Sequence, residues 1–208
     1  YEGRVELVHG EFGGWTGAYG MQWGGCDFEA IGDEAFVPPS ETTDLGLFVI
    51  ERRDFGSFLL ELGGRYDRQN VDPEGDLPES KHNAFSASVV GEWRFSDEWH
   101  LRLGFDRAQR SPTAEELYSD GIHVATQSVE LGDTGLNRET ANQIELGLHW
   151  HGDPVELMLS VYYNRFNDFI YLADTGEEED EFPVRQWTQD DARFRGAEVE
   201  AKFTLADN

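Results

Sequence analysis

His123 is the residue in this chain best suited to hold a metal ion. An imidazole nitrogen suits Zn²⁺, and a four-coordinate site needs further His, Asp, Glu or Cys donors. Asp120 lies three residues earlier, and Glu115, Glu116 and Glu130 lie in the same stretch of chain. The expected metal ligands are therefore His123, Asp120, Glu116 and Glu130, with Zn²⁺ or another divalent cation as the bound species. The competing interpretation is a loop histidine among solvated carboxylates. His149 and His151 form a second, smaller pair. Two residues apart on a strand they share a face, and they read as polar filling of an interior wall. The run Glu177-Glu178-Glu179-Asp180-Glu181 reads as a hydrated loop tip, because like charges that dense repel one another. Asp72, Glu74 and Asp76 alternate faintly like a calcium loop, but Pro73 and the spacing beyond it do not fit one. No Ser/His/Asp order with a supporting motif, phosphate-cradling glycine loop or Cys/His finger spacing is present, so an enzyme is not expected.

The elements that must position these residues are strands. Short turns alternate with long connections along the chain. The turns fall at Gly13-Gly14, Asp54 to Ser57, Ser96 to Glu98, Gly152 to Pro154 and Ala206-Asp207-Asn208. The long connections cover roughly 25–44, 71–82, 111–141 and 172–191. Between them, period-two alternation marks about nine strands, at 3–11, 15–24, 45–53, 58–70, 83–95, 99–110, 141–151, 155–171 and 192–205. Ile144, Leu146, Leu148 and Trp150 fall on one face of the seventh, opposite Gln143, Glu145, His149 and His151. Val155, Leu157, Leu159 and Val161 do the same in the eighth. Short turns on one rim, long loops on the other and strands often beyond ten residues are the layout of an outer-membrane β-barrel. The fold class expected is all-β: an antiparallel up-and-down transmembrane barrel, partial, with about nine strands of a larger one. An odd strand number and a turn signal at the last residues both read as a fragment, with 1–208 as one partial barrel domain.

Composition narrows the partners. The formal net charge is −26, from 42 acidic and 16 basic residues. Such a surface repels phosphates, which argues against nucleic acid. It favours cations, or solubility in a saline habitat. No apolar run approaches the roughly 18–20 residues of a membrane helix, which does not bear on a barrel. Aromatic residues make up 13% of the chain and gather near predicted strand ends, as in interfacial girdles. The single cysteine, Cys26, excludes an intrachain disulfide. The chain opens on Tyr1-Glu2-Gly3 without a basic or apolar leader.

The third long connection carries a resemblance. Arg110-Ser111-Pro112-Thr113-Ala114-Glu115-Glu116-Leu117-Tyr118 runs into Gly121-Ile122-His123-Val124-Ala125-Thr126. Glu130-Leu131-Gly132-Asp133, Leu136-Asn137-Arg138-Glu139 and Asn142-Gln143-Ile144-Glu145-Leu146-Gly147 follow. These segments, with Tyr163 to Tyr171 and Phe194 to Glu200, resemble the barrel of TonB-dependent outer-membrane receptors. The Gly-x-His-x-Ala-Thr stretch is similar to that of the zinc-uptake members, in which a histidine of this loop helps capture the metal. Where such members can carry a second histidine, this chain has Asp120. The resemblance implies an outer-membrane receptor of a Gram-negative bacterium. It implies active uptake of a metal ion or metal chelate, with zinc as the cargo rather than a cofactor. The implied partners are outer-membrane lipid, the metal or chelate, and the TonB complex, reached through a plug region outside this chain. The alternative is a passive barrel or surface-binding module without energy coupling; a soluble β-rich domain is the third possibility.

Overall fold

A computed structural model describes residues 1–32 and 35–204. The strand expectations hold where they can be compared. Six strands come first: β1 (Glu2–Phe12), β2 (Trp15–Phe28), β3 (Ser40–Asp54), β4 (Phe58–Pro73), β5 (Ser80–Arg94) and β6 (Trp99–Arg110). A short helix, α1 (Ala114–Tyr118), and two short strands, β7 (Asp120–His123) and β8 (Ser128–Leu131), occupy the third long connection. Then come β9 (Glu139–His151), β10 (Val155–Glu179) and β11 (Phe182–Phe203). All form one 11-stranded sheet in the order β1-β2-β3-β4-β5-β6-β9-β10-β11-β8-β7. Neighbours are antiparallel except β11 and β8, which run parallel. Among the described residues the sheet does not close on itself.

The nine long strands match the nine expected, and four of the five short turns connect them as read. The turn at Ala206-Asp207-Asn208 lies outside the described residues. Gly13 and Gly14 both adopt positive φ, at 60° and 84°, as a two-residue turn between twisted strands requires. Two corrections concern the long connections. The third, read as a long loop, holds α1, β7 and β8. The fourth, 172–191, is not a loop at all: β10 and β11 pair up to Glu179↔Phe182. The acidic run therefore lies mostly in a strand, and only Asp180 and Glu181 turn the chain, at φ of 50° and 71°. Side chains anchor that extension despite the charge. Val184 is buried there, its carbonyl accepts from the Thr175 hydroxyl at 2.8 Å, and β8 pairs with Val184, Arg185 and Gln186.

The two faces of the wall differ as the alternation predicts. Leu47, Val49, Leu103, Phe105, Ile144 and Leu146 are large, apolar and exposed. Phe12, Phe55 and Phe95 are exposed beside the short turns. Together they line the strands with exposed apolar side chains. Among the described residues no helix is long and apolar enough to cross a membrane. The buried cluster sits at the long-connection end, where Val71, Leu117, Tyr118, Leu136 and Ile170 pack together with Ala114 and Trp187 against them. This cap joins residues of β4, α1 and β10 with the segment leading into β9, and it is the platform on which the candidate ligands stand.

Candidate metal centre

Local sequence explains how α1 is placed. Thr113 caps the helix: its hydroxyl accepts from Glu116 N–H, and the Glu116 carboxylate accepts from Thr113 N–H at 2.8 Å. That is a capping box, Thr-x-x-Glu. The same Glu116 oxygen accepts from Arg110 Nη1 at 2.8 Å, and Arg110 also reaches Glu139 at 3.4 Å. Glu139 in turn accepts from Ile170 N–H at 3.0 Å. The network pins the helix to β6, β9 and β10. Leu117, 1% exposed, points into the cap core, and Tyr118 Oη donates to the Pro78 carbonyl at 2.8 Å. With 116 and 117 turned inward, Glu115 projects on the other side.

The chain leaves the helix into the β7–β8 hairpin. Gly132 N–H donates to the Ser119 carbonyl at 2.6 Å and Asp133 N–H to the Glu116 carbonyl at 3.0 Å, seating the end of β8 against the helix. A Cβ at Gly132 would fall 2.6 Å from the Leu117 carbonyl and the Tyr118 nitrogen, so only glycine permits the approach. These contacts bring Glu115 of α1, His123 of β7 and Glu130 of β8 together. One ligand atom from each lies within 4.8 Å of the others. His123 Nδ1 is 3.0 Å from Glu130 Oε1, and the Thr126 hydroxyl donates to that same oxygen at 2.7 Å. Glu130 is 1% exposed, against 29% for His123. From the first long connection, Phe36 stacks on the imidazole at 4.4 Å between ring centres, and its carbonyl accepts from Asp120 N–H at 2.7 Å.

Two donors bound at about 2.0–2.1 Å with tetrahedral angles sit about 3.3 Å apart. The 3.0 Å spacing of His123 Nδ1 and Glu130 Oε1 is close to that, so a small swing of Glu115 completes a three-donor set. Glu115, His123 and Glu130 would hold a divalent cation as three donors, leaving a fourth to water or to the cargo. The charge balance also suits a cation. Burial is the first cause that holds the Glu115 carboxyl above the ordinary carboxylate range, followed by the Glu130 charge. His123 lowers it and Glu116 raises it further.

Of the four residues expected as ligands, the structure brings His123 and Glu130 together. Glu116 is engaged in the helix cap and with Arg110. Asp120 is exposed at the start of β7 and is not in the cluster. Glu115 and Phe36 complete the site. The capping-box spacing was the signal for Glu115, because it assigns Glu116 to the helix and leaves its neighbour free.

Two predictions arise from this geometry. Phe36→Ala is expected to weaken Zn²⁺ binding roughly 2- to 10-fold, the value of one aromatic stacking contact, as read by zinc titration of the full-length protein. Affinity should also climb with pH beyond the ordinary Glu value of about 4.3, because the cation competes with the Glu115 proton and that proton is held to higher pH. Titrations across that range should lose this extra segment of pH dependence in Glu115→Gln. An unchanged profile would remove Glu115 from the site.

Comparison with known proteins gives a consistent picture. The family model described as TonB dependent receptor-like, beta-barrel matches residues 2–207. Lactoferrin-binding protein A of Neisseria meningitidis is 32% identical over 123 residues, which are 56% of this chain and 12% of that protein. Hemoglobin-haptoglobin utilization protein B of the same species is 29% identical over 138 residues, 60% of this chain and 17% of that protein. The chain thus spans less than a fifth of the length of either relative. Among solved structures, Copper transporter OprC superposes with a TM-score of 0.78 at 20% identity, covering 100% of this chain and 35% of that one. The FrpB iron transporter from Neisseria meningitidis superposes at 0.70 and 17% identity, covering 97% and 32%. At these identities the structural matches speak for the fold, a part of a larger barrel wall.

Proposed function

The chain belongs to the TonB-dependent receptor-like β-barrel family, and from that premise we propose that it supplies part of the wall and outer loops of an outer-membrane receptor for active metal uptake. The proposed cargo is a borderline divalent cation, Zn²⁺ first among them, captured by Glu115, His123 and Glu130 before entering the lumen. The observation that carries this is a buried carboxylate, Glu130, with an imidazole at 3.0 Å and a second carboxylate within reach, all on a packed cap at the long-connection end. Burying a carboxylate is costly unless charge or hydrogen bonds compensate it, and a bound cation does so. The exposed apolar wall supports a place in the outer membrane of a Gram-negative bacterium. Energy coupling would come from the TonB complex through a plug segment of the parent protein.

The relatives' names speak of lactoferrin, hemoglobin, copper and iron. Cargo is therefore the point to test. Cells making the full-length receptor should accumulate radiolabelled Zn²⁺, and a protonophore should abolish the accumulation. Accumulation that survives the protonophore would indicate a passive barrel instead. Uptake of ferric chelate or haem without uptake of Zn²⁺ would overturn the metal-ion reading.

A further inference from the structure

We propose that His100, His149 and His151 form a second metal-binding patch, for a borderline transition metal of the Cu²⁺, Ni²⁺ and Zn²⁺ group, on the polar face of the wall at its short-turn rim. Strand register sets the placement. His100 of β6 is the direct partner of His149 of β9, and directly paired residues point to the same face. His151 follows two residues on and so shares that face. Met158 of β10 pairs with His149 and Glu156 with His151, which adds a thioether and a carboxylate to the same side. The opposite face there is apolar, with Leu101, Leu148 and Leu157.

Ring positions agree with shared ligation. His100 and His151 have ring centres 5.0 Å apart, and His149 and His151 6.4 Å. A bond of about 2.1 Å puts an ion about 3.2 Å from a ring centre, so two imidazoles on one ion have centres about 4.5–6.4 Å apart as their angle opens from about 90° to 180°. His100 and His151 make the primary pair. His149 now leans toward Gly147, with its Nε2 3.5 Å from where a Cβ at Gly147 would stand, and joins by rotating its side chain. Of the nearby cations, Lys202 is paired with Glu156 at 3.3 Å, and Arg102, two residues on from His100, shares the polar face. Arg94, the partner of His100 across β5, is held by Asp54 at 2.9 Å and Glu92 at 3.3 Å. Imidazole suits all three metals, and Met158 favours the softer of them.

The patch lies at the opposite end of the strands from Glu115, His123 and Glu130 and does not depend on them. The test uses untagged full-length receptor carrying Glu115→Gln and His123→Ala, titrated with Cu²⁺ and read by electron paramagnetic resonance. The expected result is one bound Cu²⁺ showing at least two imidazole nitrogens. His100→Gln and His151→Gln should each weaken it about 10-fold or more, with His149→Gln removing any third nitrogen. Each variant is first checked for unchanged circular dichroism, and glutamine keeps the rim polar. An unchanged spectrum in the His100→Gln/His151→Gln pair, or no stoichiometric copper in the parent protein, would overturn the proposal.

Discussion

His123→Ala is expected to lower Zn²⁺ affinity by at least about 100-fold, because loss of even an outer-shell partner of a ligand costs roughly 10–100-fold. The imidazole is central to the cluster: it faces Glu130 at 3.0 Å and lies within reach of Glu115. Removing it leaves two carboxylates, one of them 1% exposed, with no neutral donor between them. Glu130→Gln should have a loss of similar size, since it keeps the shape and removes the charge. Asp120→Ala should change affinity by less than about 3-fold, because that residue stands outside the cluster, well short of an outer-shell effect. The measurement is zinc titration of the purified full-length receptor at fixed pH. Unchanged affinity in both His123→Ala and Glu130→Gln would remove zinc binding from this loop and leave the family assignment standing.

Gly132→Ala is expected to disable the same site without touching a ligand. A methyl group at this position would meet the backbone of Leu117 and Tyr118 at 2.6 Å, and backbone cannot rotate away as a side chain can. Either β8 shifts off the helix or the helix lifts from the cap core. Overpacking of this kind costs about 1–3 kcal/mol. The shift separates Glu130 on β8 from Glu115 on α1, so zinc affinity should fall about 10-fold or more, in line with disturbed support of a ligand. Hydrogen exchange should show the Gly132 and Asp133 amides losing protection while the long strands β3 to β6 keep theirs. Full affinity in Gly132→Ala would show that the helix and hairpin are not rigidly coupled.

The wall of this protein was legible in its sequence because period-two alternation is read directly from residues such as Ile144, Leu146 and Leu148, and because the short turns have specific chemistry, as at Gly13-Gly14. The extension of β10 and β11 was not legible. Glu177 to Glu181 has the composition of a hydrated loop, and the next residues of β11, 184–186, are flanked by β8, a strand that docks from about fifty residues earlier in the chain. Propensity has no access to a partner that remote. The candidate site was half legible. His123 and Glu130 stood out by residue type. Glu116 and Glu115 are adjacent and chemically identical; the Thr-x-x-Glu spacing separates their roles in the sequence, and the cap and the Arg110 contact do so in the structure. Phe36 could not be found from sequence, since the first long connection meets the third only through tertiary packing.

Where a metal ion sits in the full-length receptor is the most direct test of the site. A crystal structure of the full-length receptor soaked in Zn²⁺, with data collected at the zinc absorption edge, would locate it. The predicted result is an anomalous peak about 2.0–2.2 Å from a His123 ring nitrogen and from carboxylate oxygens of Glu130 and Glu115. Zinc bound elsewhere, with those three side chains keeping their contacts and no peak between them, would contradict it.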